Sequence, residues 1–308
     1  MAVIPSSVLV TGATGFIGRA LCAVLRERGQ AFTALSRRPE RAKAALPGVK
    51  EAWKWRPKLE PAPLAAIQGA GAVVHLAGES VAGRWTAEKK RAIRDTRVIG
   101  TRHLVEAIGE AKSKPGVLVC ASAVGYYGDR GEEELTEEAG PGSDFLAEVC
   151  TAWEAEARRA EEFGVRVVML RTGIVLGRGG GALKQMLLPF KLGLGGPLGS
   201  GKQWMPWVHL DDLVGIILHA IQHASVSGPV NATAPTPVRN REFTKALARV
   251  LHRPAILPAP AFGLKLLLGE FADVLLASQR VLSKRIRESG YTFRHPSLEP
   301  ALGALLGR

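Results

Sequence analysis

The chain has 308 residues, 46% of them hydrophobic, enough for one large domain, or a domain with an attached lobe, that folds as an ordinary soluble globule. Lys and Arg number 41 against 28 Asp and Glu, a net charge of +13 that favours anionic partners. These basic residues are scattered through patterns such as EKKRAIRDTR, with no zinc-finger or aromatic-basic motif beside them, so no nucleic-acid partner is expected.

The N-terminal MAVIPSSVLV lacks a basic region followed by a long apolar stretch, so no leader is expected. Apolar runs (SVLVTG, AFTALSRR, GAVVHLAG, GVLVCAS, VRVVMLRTG) then alternate with helical stretches such as FIGRALCAVLRERG and RVIGTRHLVEAIGEA. Alternation of this kind predicts an α/β fold, a Rossmann-like doubly wound parallel sheet, and the near-continuous hydrophobicity of the runs predicts helices on both faces. From about residue 178 the texture turns Gly-rich and Pro-punctuated, then DDLVGIILHAIQHA returns to the sheet, and the remainder reads as helices and loops. The expected division is a dinucleotide-binding domain over 1–177, completed by a segment near 208–232. A smaller, mostly helical substrate lobe with a C-terminal tail would take 178–207 and 233–308. The apolar stretch FGLKLLLGEFADVLLAS is broken by Lys265, Glu270 and Asp273, which predicts an amphipathic helix rather than a bilayer span, and no membrane partner is expected. Cys22, Cys120 and Cys150 lack CxxC spacing and lie in apolar runs, which predicts core thiols in a reducing compartment, by default the cytoplasm.

The strongest chemical signal is VLVTGATGFIGRAL. Gly12, Gly15 and Gly18 follow a strand and open a helix, where bare backbone admits a pyrophosphate to the amides at the positive helix end. Thr14, Phe16 and Ile17 belong to the same candidate cofactor loop. Where an NAD site carries Asp or Glu at the end of the second strand, this chain has Ser36, Arg37 and Arg38. A hydroxyl and guanidinium groups suit a 2′-phosphate, so the expected cofactor is NADP, with Arg37 the first choice as ligand.

The ordered motifs TGATGFIG, VVHLAG, RVIGTRHL, YYG, LRTGIVLG and WVHLDDL resemble those of the extended short-chain dehydrogenases/reductases. More narrowly, SAVGYYGD, WEAEA, RTGIVLGRGGGALKQMLLPF, GLGGPLGSGKQWMPWVHLDD, NATAPTPVRNREF and LLLGEFADVLLASQRV resemble the atypical epimerase-family subgroup, over essentially the whole chain. The resemblance implies that Leu76, Ala77 and Gly78 line the path from adenosine to nicotinamide, and that Ser122 and Tyr127 lie near the nicotinamide. Arg97 stands where relatives commonly carry Asn, and it joins the candidate cofactor residues. A homodimer through the helices after the fourth and fifth strands is compatible with the resemblance.

The catalytic pattern departs from that resemblance. A Tyr and a Lys four residues apart should share a helix face, but the matching positions fall among Phe145 to Cys150, with neither residue present. Ala123 stands where the catalytic Ser is expected, with Ser122 one residue earlier. Tyr126 is the candidate substitute acid, and Ser122 and Tyr127 complete the candidate catalytic group. On the substrate side Met205 replaces the basic residue that grips a sugar nucleotide. Trp204, Met205 and Trp207 suggest an apolar, aromatic-walled pocket, with Lys202, Gln203 and His209 as polar contacts and Glu79, Arg84 and Trp85 within reach. His209 reads as a structural hydrogen bonder. No metal site is indicated: His219 and His223 are spaced i, i+4 with no third ligand nearby in sequence and read as a solvent-facing pair. Two functions fit these residues, an NADP-dependent oxidoreductase or epimerase-like enzyme acting on a small carbonyl or alcohol, and an NADP(H)-binding regulatory protein without turnover.

Overall fold

The computed structural model describes residues 7–307; the first six residues, on which the expectation about a leader rests, lie outside them. Seven parallel strands form one sheet: β1 Val8–Thr11, β2 Phe32–Ser36, β3 Ala52–Lys54, β4 Ala72–His75, β5 Val117–Ala123, β6 Arg166–Thr172 and β7 Gly228–Ala232. Their order is β3-β2-β1-β4-β5-β6-β7, so the winding direction reverses between β1 and β4, where Thr11 lies opposite His75. In open α/β sheets a ligand crevice forms at such a reversal, beyond the carboxyl ends of the strands.

Both faces are covered, as continuous apolar runs require. Val8 and Val10 point to one face, packed with residues of helix α1 (Phe16–Glu27) and of the returning helix Leu210–Gln222. Leu9 points to the other, with residues of the helices Leu64–Gln68, Ala87–Glu110 and Phe145–Arg158. The five strands expected from the apolar runs are all present. The two outermost, β3 and β7, were not among them: β3 has three residues and β7 contains Pro229, and edge strands tolerate short length and a missing backbone donor.

The lobe has its own core of Leu176, Phe190, Met205, Trp207, Phe243 and Leu302. The tail, however, does not stay in the lobe. Ile286 is buried in the Rossmann core and Tyr291 and Phe293 pack against it, so the stretch around 286–293 docks on the dinucleotide-binding half, and the final helix Leu298–Leu306 returns to the lobe core through Leu298, Ala301, Leu302 and Leu305. Cys22, Cys120 and Cys150 are all buried and unpaired. Among the described residues no helix is long and apolar enough to cross a membrane.

Candidate functional site

The loop after β1 is shaped by backbone that a side chain would obstruct. Gly12 sits at φ +67°, and a Cβ there would lie 2.8 Å from the carbonyl carbon of Leu76. Gly18, one turn into α1, packs so closely that a Cβ would collide with the Gly12 carbonyl oxygen and Ala13. The Gly15 amide donates to the Gly12 carbonyl (2.9 Å), and Gly15 caps α1 with no side-chain acceptor and no acidic residue in the first turn. The helix start therefore presents bare N–H groups to an anion. Thr14 turns its carbonyl to Arg19 Nε (2.8 Å), Phe16 packs on the backbone of Gly177 and Gly180, and Ile17 packs against the Rossmann core. The last two thus act by packing.

Beyond β2, Ser36 accepts the Arg38 amide (3.1 Å), while Arg37 and Arg38 are exposed, with no ion pair or side-chain hydrogen bond among the described residues. Across the crevice Glu79 accepts Lys89 Nζ (3.0 Å); that hydrogen bond, then the charges of Lys89 and Arg37, hold its carboxyl below the usual range.

Thr11 ties β1 to the Leu76–Gly78 segment. Its hydroxyl accepts the amides of Leu76 (3.2 Å) and Ala77 (3.1 Å), which leaves its one proton for His75 Nδ1 at 2.7 Å. That assigns the His75 proton to Nε2, facing Thr101 Oγ1 at 3.0 Å. Burial, then the charge of Arg97, pushes the His75 imidazole down to about 3. Arg97 supports the same segment from beneath: its guanidinium donates to the carbonyls of Glu79 (2.9 Å) and Ile93 (3.1 Å), lies behind Gly78, and stands 5.1 Å from the Trp153 ring. Its contacts are those of a strut under the loop.

Ser122 and Tyr127 belong to a buried polar network. Ser122 donates to Glu154 (2.7 Å), and Glu154 is held bidentate by Arg171 Nε and Nη2, both at 2.9 Å. Burial opposes the Arg171 charge, but hydrogen bonding and attraction to Glu154 outweigh it and raise its pKa. Arg171 also donates to the Tyr127 hydroxyl (3.0 Å), which donates to Asn231 Oδ1 (2.7 Å), and the Asn231 amide reaches Glu137 (3.0 Å). Tyr127 is fully buried, and desolvation pushes its phenol up to about 12, against the pull of Arg171. Tyr126 differs. It is half-buried, the Arg171 guanidinium carbon lies over its ring 3.5 Å from the centroid, and its hydroxyl has no hydrogen-bond partner among the described residues.

Helix Phe145–Arg158 carries Phe145 against Trp85 (5.2 Å between centroids), and Trp85 in turn meets Phe271 of the tail (6.0 Å). The tail segment after it grips the tyrosine turn: Gln279 Nε2 donates to the carbonyls of Val124 (3.1 Å) and Gly128 (2.9 Å), and the Ser278 amide donates to Asp129 (3.0 Å). Arg130, four residues after Tyr126, pairs with Glu133 instead.

The aromatic wall expected from Trp204, Met205 and Trp207 is redistributed. Trp207 and Met205 are buried in the lobe core, where an indole and a thioether of that size are needed to fill it. Trp204 is half-buried between the guanidiniums of Arg239 (4.4 Å) and Arg280 (4.9 Å) and donates to Glu132. Gln203 is buried on the carbonyls of Leu198 and Leu275, Lys202 is exposed, and Arg84 reaches the Leu266 carbonyl. His209 caps the returning helix by accepting the Asp211 amide (3.1 Å), a structural role; burial first, then His295, lowers its pKa. His219 and His223, expected to face solvent, are half-buried: they stack at 3.8 Å, and His219 reaches Ser289 of the tail.

The model of the NAD dependent epimerase/dehydratase family matches residues 8–232, and a domain of unknown function (DUF1731) matches 259–305. This chain belongs to the NAD dependent epimerase/dehydratase family. It is 42% identical to the chloroplastic SDR39U1 homolog of Arabidopsis thaliana, over 97% of this chain and 86% of that one. It is 38% identical to the epimerase family protein YfhF of Bacillus subtilis, over 97% and 98%. Among solved structures, human epimerase family protein SDR39U1 (isoform 2) with NADPH superposes with a TM-score of 0.87 at 36% identity, over 98% and 99% of the two chains. Membership of the family accounts for the glycine loop and the sheet. Glu154, Arg171, Asn231 and Gln279 were missed as site residues, although the first two were visible as opposite charges in otherwise apolar segments, WEAEA and VMLRTG.

Proposed function

We propose that the protein binds NADP(H) and uses it on a small, partly apolar carbonyl or alcohol, without the Tyr/Lys pair. The carrying observation is the conjunction of the glycine cradle with Arg37 and Arg38. A dinucleotide diphosphate meets bare helix-start amides, and a 2′-phosphate meets two guanidiniums that no carboxylate of the described residues pairs. The human relative solved with NADPH supports the same choice. The bound cofactor supplies or accepts hydride. The chain's own part is to hold its phosphates at Gly12–Gly18 and Arg37, to keep the Leu76–Gly78 segment in place through Thr11 and Arg97, and to set Tyr126 at the crevice. Ser122 and Tyr127 frame that position through Glu154 and Arg171. Tyr126, the phenol of the pair with no internal partner, is the proposed proton donor to substrate. The three unpaired buried thiols fit the cytoplasmic location proposed for it.

The second reading, an NADP(H)-responsive protein without turnover, is favoured by one observation: the helix positions Phe145 to Cys150 offer no Tyr/Lys pair, while Ser122 and Tyr127 are consumed internally. The test is a nicotinamide-fluorescence titration with NADPH and NADH, repeated in Arg37→Ala. NADPH preference should fall by roughly 10- to 150-fold, the worth of a charged hydrogen bond of about 1.5–3 kcal/mol. Absence of binding by either nucleotide sinks both readings. With binding established, a substrate-dependent change in nicotinamide absorbance that Tyr126→Phe abolishes selects the enzyme, with a product assay for redox-neutral epimerisation; cofactor binding without turnover in either assay selects the regulator.

A further inference from the structure

The returning helix Leu210–Gln222 and the tail bring together residues far apart in sequence. His209 precedes the helix, Asp211 lies in its first turn, and His295 comes from the tail. One ring nitrogen of each histidine and a carboxylate oxygen of Asp211 all lie within 4.8 Å of one another; Asp211 Oδ2 is 3.7 Å from His209 Nδ1 and 3.6 Å from His295 Nε2. These three line a cavity of about 240 Å3 together with Arg178, whose guanidinium is turned to the Ala304 carbonyl (2.8 Å).

We propose that His209, Asp211 and His295 bind a borderline divalent transition-metal ion, Zn2+ or Ni2+, which fastens the C-terminal tail to the Rossmann half. Three independent observations support the site. Two imidazoles and a carboxylate are the donor set such ions prefer, with water completing the shell. His209 Nδ1 is engaged by the Asp211 amide (3.1 Å), so the position the ring has to offer is Nε2, which is buried, in a side chain 3% exposed, with no hydrogen-bond partner among the described residues. The tail loop that presents His295 is itself anchored: the fully buried Asp212 carboxylate accepts the amides of Arg294 (2.7 Å) and His295 (2.9 Å) and the Tyr291 hydroxyl (3.0 Å). Outer contacts of this kind fix where a ligand stands.

The two rings are stacked, with centroids 3.7 Å apart and planes 28° from parallel, so one ring must swing to aim its lone pair at a shared ion. His295, the more exposed of the two, and Asp211, 56% exposed at its side chain, have the room to do so.

The test is titration of the purified full chain with Zn2+ by calorimetry and with Co2+ by visible absorption, with melting curves in parallel. Expected are one ion per chain, Co2+ d–d bands and a raised melting temperature. All three should be lost in His295→Gln and in Asp211→Asn, and kept in His223→Ala, which disables the competing His219/His223 pair. Far-UV circular dichroism without metal checks that each variant folds, and the exposed Asp211→Asn carries the test if His295→Gln does not. No binding by the wild-type chain, binding unchanged in both cavity variants, or binding abolished by His223→Ala would each overturn the site.

Discussion

The Rossmann half and the lobe are built on opposite terms. Around the β5 and β6 ends, every polar group of Ser122, Glu154, Arg171 and Tyr127 is internally matched, and the strands beneath are apolar on both faces. In the lobe, Leu188 on helix Gly181–Lys191, Leu192 and Leu194 just after it, Ile256, and Phe262, Leu266 and Leu267 on helix Ala261–Leu268 are all more than half exposed. Residues 178–202 also carry Arg178, Lys184, Lys191 and Lys202 with no Asp or Glu. One region is committed to a single arrangement. The other leaves apolar and basic surface exposed.

Substitutions sharpen that contrast, the largest effect first. Gly12→Ala forces a Cβ onto the Leu76 backbone at positive φ, so cofactor binding should disappear and stability should fall by several kcal/mol, read by titration and denaturant unfolding. Glu154→Gln leaves the Arg171 charge buried without its counter-ion and should cost about 3–5 kcal/mol. Partial recovery in the double variant Glu154→Gln/Arg171→Met is expected, and full additivity of the two losses would mean that they do not act as a pair.

A pH scan probes the same half of the molecule. His75 has a folded pKa of about 3 against 6.5, so the unfolded chain binds an extra proton between those values. Its contribution is complete above pH 6.5 and drains away as pH falls toward 3, with a slope approaching 1.4 kcal/mol per pH unit. His75→Gln should be less stable at pH 7 and lack that part of the slope; an unchanged slope would place the titration elsewhere. At the small end, Leu266→Lys in the lobe should shift stability by no more than about 0.5 kcal/mol, because the side chain is 78% exposed. A loss comparable to that of Glu154→Gln would show that the lobe surface is covered in solution.

Much of the cofactor half was legible from sequence. A glycine cradle before a helix, apolar strand runs and the basic end of β2 are local signals, each contained in a few consecutive residues. The edge strands β3 and β7 were less legible, since three residues or a proline weaken a strand pattern that tertiary pairing then supplies. The candidate catalytic residues were the least legible: Ser122 lies at the end of β5 and Tyr127 on the turn that follows, and their engagement depends on Glu154, Arg171 and Asn231, which the chain delivers from three other elements.

The sequence by itself determined the doubly wound sheet, the anion cradle at Gly12–Gly18 and the absence of the Tyr/Lys pair, because backbone permissiveness, hydrophobic period and residue identity are properties of short segments. Only the tertiary structure decided that Trp207 fills a core rather than walls a pocket, that Tyr126 and not Tyr127 has a hydroxyl without a partner among the described residues, and that His209 meets His295. Burial and long-range pairing decide those outcomes, and both depend on which distant segments the packed chain brings together.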